Sequence, residues 1–281
     1  MPSIVDYMNQ TLPFTIVGDI HGNLATLHHA VVATLRAGLT TMIQVGDFWC
    51  YEPRDLRKAD RMLDHLAGQF DIDPEDLQLY FCDGNHENFE ILNPDATEPV
   101  TLGDHFTYIT LGDHFTYIPR GLATTIQGTR VGFLGGAESI DKDLRLHGRD
   151  WWPEETMTYH QIQRALDMGP VDILITHDTT LQVFEALAAA KGHAADKNLI
   201  GLQERHAIGE VLQATQPRWM LHGHHHTFGV YQQDDTTVVA LAADGRAGAV
   251  VTLDHDGAVT PLPEIRAGKD WVAPPAVPQP L

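Results

Sequence analysis

Five short apolar runs, Phe14 to Val17, Met42 to Val45, Leu77 to Cys82, Val171 to Ile175 and Trp219 to Leu221, each stop at a polar segment. All have strand length and are partly β-branched or aromatic, which predicts buried strands. After the first run, Leu24, Leu27, Val31 and Leu35 recur at spacings of three, four and four, and Gly38 follows. That pattern predicts an amphipathic helix from Asn23 to Ala37 closed by a glycine. A second helix is predicted from Pro53 through Leu56, Ala59, Met62, Leu63 and Leu66 to Gly68. Met157 to Leu166, Leu181 to Ala190 and Leu202 to Ala214 fit helices placed around the later runs. Strand and helix alternate in both halves, the rhythm of a parallel α/β fold.

Further strands are expected at Leu122 to Gln127 and Arg130 to Leu134, on either side of Gly128-Thr129, and at Gly229 to Gln232, Val238 to Ala242 and Ala249 to Leu253. The turn pairs Asp244-Gly245 and Asp256-Gly257 read as hairpin closures, so a second, more antiparallel sheet is expected. The fold class this predicts is α/β, a four-layer α-β-β-α sandwich of two mixed sheets flanked by helices. Residues 1–265 are read as one domain and 266–281 as a proline-rich tail without order. A tandem repeat stands out: Thr101 to Ile109 reads TLGDHFTYI and Thr110 to Ile118 repeats it. Its Asp and His are adjacent, so in an extended chain they point to opposite faces, and a duplication tolerated in a surface connection is the simpler reading.

Composition narrows the picture. The chain has 281 residues, 43% hydrophobic and 20% charged, enough to bury a full core. No stretch approaches the roughly 20 apolar residues of a membrane span and no leader pattern opens the chain, so a cytoplasmic protein is expected. Cys50 and Cys82 stand in apolar company and are expected to be reduced thiols. Eighteen basic against thirty-eight acidic residues give a net charge of −20, which disfavours long nucleic acid as a partner.

The polar segments that end the runs carry the chemistry. They are Gly18-Asp19-Ile20-His21, Gly46-Asp47, Gly84-Asn85-His86-Glu87, Thr176-His177-Asp178 and Gly223-His224-His225-His226. Ligand sites in open α/β sheets collect outside the carboxyl ends of strands, so segments dispersed along the chain can meet at one site. Asp19 and His21 offer a hard oxygen and an imidazole, a mix that suits manganese, iron or zinc. Alone, such a pair reads as a cap and a solvated side chain; the ordered set of five is what points to a metal site.

That set resembles the calcineurin-like metallophosphoesterase superfamily, whose blocks run Gly-Asp-x-His, Gly-Asp-x-x-Asp, Gly-Asn-His-Glu, a lone His and Gly-His-x-His, matched here over about residues 14 to 230. The resemblance implies two divalent ions, manganese first with iron or zinc as alternatives. One would be held by Asp19, His21, Asp47 and His226, the other by Asp47, Asn85, His177 and His224, with Asp47 bridging. It implies hydrolysis of a small phosphomonoester or phosphodiester by in-line attack of a metal-bound hydroxide, with His86 assisting the leaving oxygen. A scaffold of the same fold without catalysis and a nuclease of the superfamily are the competing readings.

The chain departs from the fuller pattern after Asp47. Where the family has a second aspartate and then an arginine, this chain has Cys50 and Tyr51, which argues against the phosphoprotein-phosphatase branch. Glu52 or Glu87 could take over the orienting of His86. The stretch from Gly135 to Glu155 resembles bacterial and phage-type members, and its Arg145 is read either as a substitute phosphate contact or as one half of a surface ion pair. Trp151 and Trp152 follow, and at least one is expected to anchor that loop. Asn23 reads as a helix N-cap and a second substrate contact. His222 and His225 are left outside the ligand set, His225 because it alternates with two ligands.

Overall fold

The computed structural model describes residues 14–48, 53–101, 114–192, 200–254, 258–262 and 279–280. Three parallel strands open the first sheet, β1 (Phe14–Val17), β2 (Thr41–Gln44) and β3 (Gln78–Phe81), joined by α1 (Leu24–Arg36) and α2 (Pro53–Gln69). β4 (Val100–Thr101) and β5 (Phe115–Tyr117) extend one edge; β12 (Val250–Leu253) and β13 (Val259–Pro261) extend the other, giving the order β13-β12-β1-β2-β3-β5-β4. The second sheet is built from β6 (Leu122–Ile126), β7 (Thr129–Leu134), β8 (Ile173–Thr176), β9 (Trp219–His222), β10 (Gly229–Gln233), β11 (Thr236–Ala240) and β14 (Gln279–Pro280). Its order is β14-β10-β11-β9-β8-β7-β6. α3 (Tyr159–Leu166), α4 (Leu181–Ala190) and α5 (Leu202–Thr215) cover it.

The period of two in each strand sets the layers. Phe14 and Ile16, Ile43 and Val45, Ile173 and Ile175, and Trp219 and Leu221 all enter one core between the sheets. Their strand neighbours turn outward: Val17 and Met42 pack with Leu27, Val31, Leu63 and Leu66 of α1 and α2. Leu174 and Met220 pack with Val183, Leu187, Ile208 and Val211 of α4 and α5. The result is the four-layer α-β-β-α sandwich expected from the pattern. Among the described residues, no helix is long and apolar enough to cross a membrane.

Two expectations about strand pairing need correction. The second sheet is not the more antiparallel one: β7, β8, β9 and β11 run parallel in sequence, with antiparallel pairs at β6-β7 and β10-β11. The turn at Asp244-Gly245, left-handed at both residues (φ 47° and 71°), does not close a hairpin. It carries the chain from β11 in one sheet to β12 in the other, where β12 pairs with β1. A left-handed pair fixes a tight reversal but not the partner of the strand that leaves it. The hairpin between β10 and β11 closes instead at Asp234-Asp235, with Asp234 at φ 50°.

Cys50, Tyr51, Glu52 and residues 102–113 of the repeat lie outside the described residues, as does the tail except for β14. His114 of the second copy is described. It is buried, its ring 2.7 Å from the Leu77 carbonyl and 3.1 Å from Asp64 Oδ1, away from the strand-end motifs. Cys82 is a buried free thiol.

Candidate functional site

The carboxyl ends of β1, β2 and β3 in one sheet and of β8 and β9 in the other open onto a common cavity. Each strand is followed by a sharp bend, and His21, Asp47, His224 and His226 all take left-handed backbone, φ 47°, 56°, 63° and 52°. Such residues cost roughly 1–3 kcal/mol each and persist where the surroundings over-determine them. Close packing explains two glycines here. A Cβ on Gly84 would collide with the Asp47 carboxylate, and one on Gly223 with that of Asp19.

The bends aim their side chains at one another. Ligand atoms of Asp19, His21, Asp47 and His226 all lie within 4.8 Å of each other. Asp47 Oδ2 is 3.2 Å from His21 Nε2, and its Oδ1 is 3.4 Å from His177 Nε2, so the carboxylate faces two groups of residues. The His86 amide donates to Asp47 Oδ1 at 2.7 Å. His226 Nε2 is 3.0 Å from Asp19 Oδ2, and the His224 amide donates to both Asp19 oxygens. Asn85 Oδ1 lies 3.0 Å from His177 Nε2 and 2.9 Å from His224 Nδ1. All seven residues expected as ligands therefore meet.

Electrostatics show what this cluster lacks. Asp19 and Asp47 are essentially buried, and among the described residues their carboxylates meet only histidine rings and backbone N–H groups. Burial opposes charge on His21 and His177, yet the neighbouring Asp47 outweighs it and pushes them up to about 9 and about 10. Burial likewise opposes charge on Asp47, but His177 and His21 hold its carboxyl well below the usual range. Burial keeps His224 neutral by forcing it well down. The cluster draws protons because it is short of positive charge, and divalent cations bind such sites in exchange for protons. Two carboxylates, one amide oxygen and four imidazoles fit manganese, iron or zinc.

Beyond the cluster, the cavity has a volume of about 390 Å³ and is walled by His86, Ile140, Phe184, Lys191, Arg205 and His225. Burial lowers His86, opposed by the charge of Asp47 and helped by those of Arg145 and His21. Arg145 reaches the site from the loop after β7: its Nη1 is 3.2 Å from His86 Nδ1, and its Nε is 3.1 Å from Asp141 Oδ1. Arg145 therefore makes an ion pair with Asp141 and also lies against His86. Glu87 turns away and accepts from the Phe48 amide at 2.7 Å. Asn23 is a cap: its Oδ1 accepts from the Ala25 and Thr26 amides at 3.0 and 3.3 Å. It does not line the cavity. Trp152 is buried and anchors the loop, whereas Trp151 packs its ring edge-on to His147 of the same loop at 5.8 Å.

Three site residues escaped the sequence reading. Asp244 places Oδ2 3.1 Å from His21 Nδ1, on the side of the ring away from Asp47. Asp178 accepts from Arg205 Nε at 3.0 Å and lies 2.8 Å from His225 Nε2, so His225 faces away from its two neighbours but still lines the cavity. Ser139 Oγ accepts from Asn85 Nδ2 at 2.9 Å. The place of Asp178 directly after His177, and of His225 between two expected ligands, gave a signal for that pair; Asp244 and Ser139 had none beyond a turn and a loop. His222 is buried beside them, and burial drives it down to about 3.

Comparison with solved structures gives TT1561 of Thermus thermophilus at a TM-score of 0.52, 14% identical over 87% of this chain and 95% of that one. A dimetal phosphatase from Danio rerio is similar at 0.47, 13% identical over 88% and 93%, and a novel archaeal phosphodiesterase at 0.43, 11% identical over 89% and 99%. At these identities the first speaks for the fold alone. None of the curated proteins matches the chain. The family model of the calcineurin-like phosphoesterases matches residues 12–228, which span all five motifs. The chain belongs to that family and is a metal-dependent phosphoesterase.

Proposed function

We propose that the chain hydrolyses a small phosphomonoester or phosphodiester at a site for two divalent cations, manganese first. Asp19, His21, Asp47 and His226 would hold one cation and Asp47, Asn85, His177 and His224 the other. The observation that carries this reading is Asp47, whose two oxygens face His21 and His177 separately. Cations bound there supply Lewis-acid polarisation of phosphoryl oxygens and an acidified water.

The protein's own groups do the rest. Arg145 donates to His86 Nδ1, which must then be the unprotonated ring nitrogen, so the proton sits on Nε2. His86 is in that form a neutral hydrogen-bond donor suited to the leaving oxygen, in keeping with its lowered pKa. Arg145 adds positive charge beside His86 for the phosphoryl group, and Phe184, Ile140 and Lys191 wall the space left for the esterified group. The net charge of −20 leaves long nucleic acid disfavoured.

The test uses purified protein with manganese on an aryl phosphomonoester and a bis-aryl phosphodiester. Hydrolysis of at least one, lost in Asp47→Asn, is expected. Equal activity in wild type and mutant refutes the assignment.

A further inference from the structure

Glu155 ends a single 3-10 turn, Pro153–Glu155, yet its carboxylate is 1% exposed and both oxygens are used. Oε1 accepts from the Ser139 amide at 3.0 Å. Oε2 accepts from Ser139 Oγ at 2.7 Å and from Arg145 Nη2 at 3.1 Å. Two arms leave from this one group. Along the first, Ser139 gives its hydroxyl hydrogen to Glu155 and can therefore only accept from Asn85, which must present Nδ2 to it. Asn85 Oδ1 is thereby turned toward His177 and His224. A flipped amide would place its NH₂ against those rings and take away an oxygen donor. Along the second arm, Glu155 and Asp141 flank the guanidinium of Arg145 while its Nη1 meets His86 Nδ1.

We infer that Glu155 is a positioning residue, holding from one carboxylate both the amide oxygen of Asn85 and the guanidinium of Arg145. Cation binding on the Asn85 side and substrate binding on the His86 side thus share one support. The inference rests on the two-cation reading above. It adds a residue from a loop that carries none of the five motifs.

Three variants separate the arms. Glu155→Gln keeps the size but loses the charge facing Arg145, and its NH₂ must meet either the Ser139 amide or Arg145 and the Ser139 hydroxyl. Ser139→Ala cuts the first arm and Arg145→Lys loosens the second. Each is titrated with manganese by calorimetry, and KM and kcat are measured on the preferred aryl ester. Ser139→Ala is expected to weaken one manganese site by about 10–100-fold, the usual effect of removing a ligand's outer partner, with KM unchanged at saturating metal. Arg145→Lys should raise KM with manganese affinity unchanged. Glu155→Gln should do both, and adding Ser139→Ala to it should weaken metal binding no further. Glu154→Gln, on the exposed neighbour, should change neither.

A Glu155→Gln protein that melts lower but binds manganese and substrate as wild type does overturns the inference. If Glu155→Gln does not fold, wild-type manganese affinity in Ser139→Ala overturns it instead. A wild-type chain that neither binds manganese nor hydrolyses the ester overturns the two-cation reading and this inference with it.

Discussion

Asp83 and Asp47 follow neighbouring parallel strands, β3 and β2, and both carboxylates are buried. Asp83 is closed by the protein's own cation. Arg120 donates to it through Nε at 2.8 Å and Nη2 at 2.5 Å, and Tyr117 through its hydroxyl at 2.7 Å. Its other guanidinium hydrogen bonds reach Gln161 Oε1 and the carbonyls of Glu154, Glu155 and Thr156, which pins the loop that carries Arg145. Asp178 is closed in the same way by Arg205. Among the described residues, Asp47 meets only imidazoles and an amide. A guanidinium stays charged at all accessible pH, whereas an imidazole can give up its proton to make room for a cation. Buried carboxylates with an arginine hold the frame; in the reading proposed above, those with histidines alone receive an ion from solution.

The largest effect that separates the two classes is catalytic. Asp47→Asn should lower kcat/KM by on the order of 10³-fold, since several kcal/mol of charge stabilisation is at stake. Its metal-free melting temperature should move by only a few degrees. Arg120→Met should behave in the opposite way, destabilising the fold by about 3–5 kcal/mol because Asp83 keeps a buried, unpaired charge. Denaturant titration with and without manganese checks this, and an equal loss in Asp47→Asn would erase the distinction.

Asp244 tests a smaller effect. By accepting from His21 Nδ1 it fixes which ring nitrogen faces Asp47, and Asp244→Asn should weaken manganese binding by about 10–100-fold. The carboxylate is 43% exposed, so stability of the metal-free chain should hardly change. Unaltered manganese affinity would remove Asp244 from the site.

Glu204 gives the smallest effect and comes from the frame. Burial pushes its carboxyl up from 4.5 to about 7, with the charges of Asp178 and Glu138 adding to that and the Met157 amide opposing it. The folded chain keeps this proton to higher pH than the unfolded one, so stability falls as pH rises from 4.5 to about 7. Glu204→Gln can still accept from the Met157 amide. It should melt with wild type at pH ~5 and higher by roughly 2–4 °C at pH ~8, about 1 kcal/mol for a chain of this size. A gain at the lower pH instead would contradict the sign.

The convergence of the aspartate and histidine side chains was legible because each motif sits directly after an apolar run, and strand ends converge whatever the loop lengths between them. Asn23 was legible as a cap for the same local reason. The supports were not. Asp244 depends on which sheet β12 joins, and that is decided by pairing with β1 far away in the chain. Glu155 and Ser139 lie in a loop without periodicity, held by Arg120 from the end of another strand. His225 faces Asp178, a partner that alternation along the chain cannot name.

Calorimetric titration of the metal-free wild-type chain with manganese, repeated on Asp47→Asn, tests the two-cation site most directly. Two ions per wild-type chain, with binding of both lost or strongly weakened in the mutant, is the expected result. A wild-type chain that takes up no manganese, or a mutant that binds it as tightly, would contradict it.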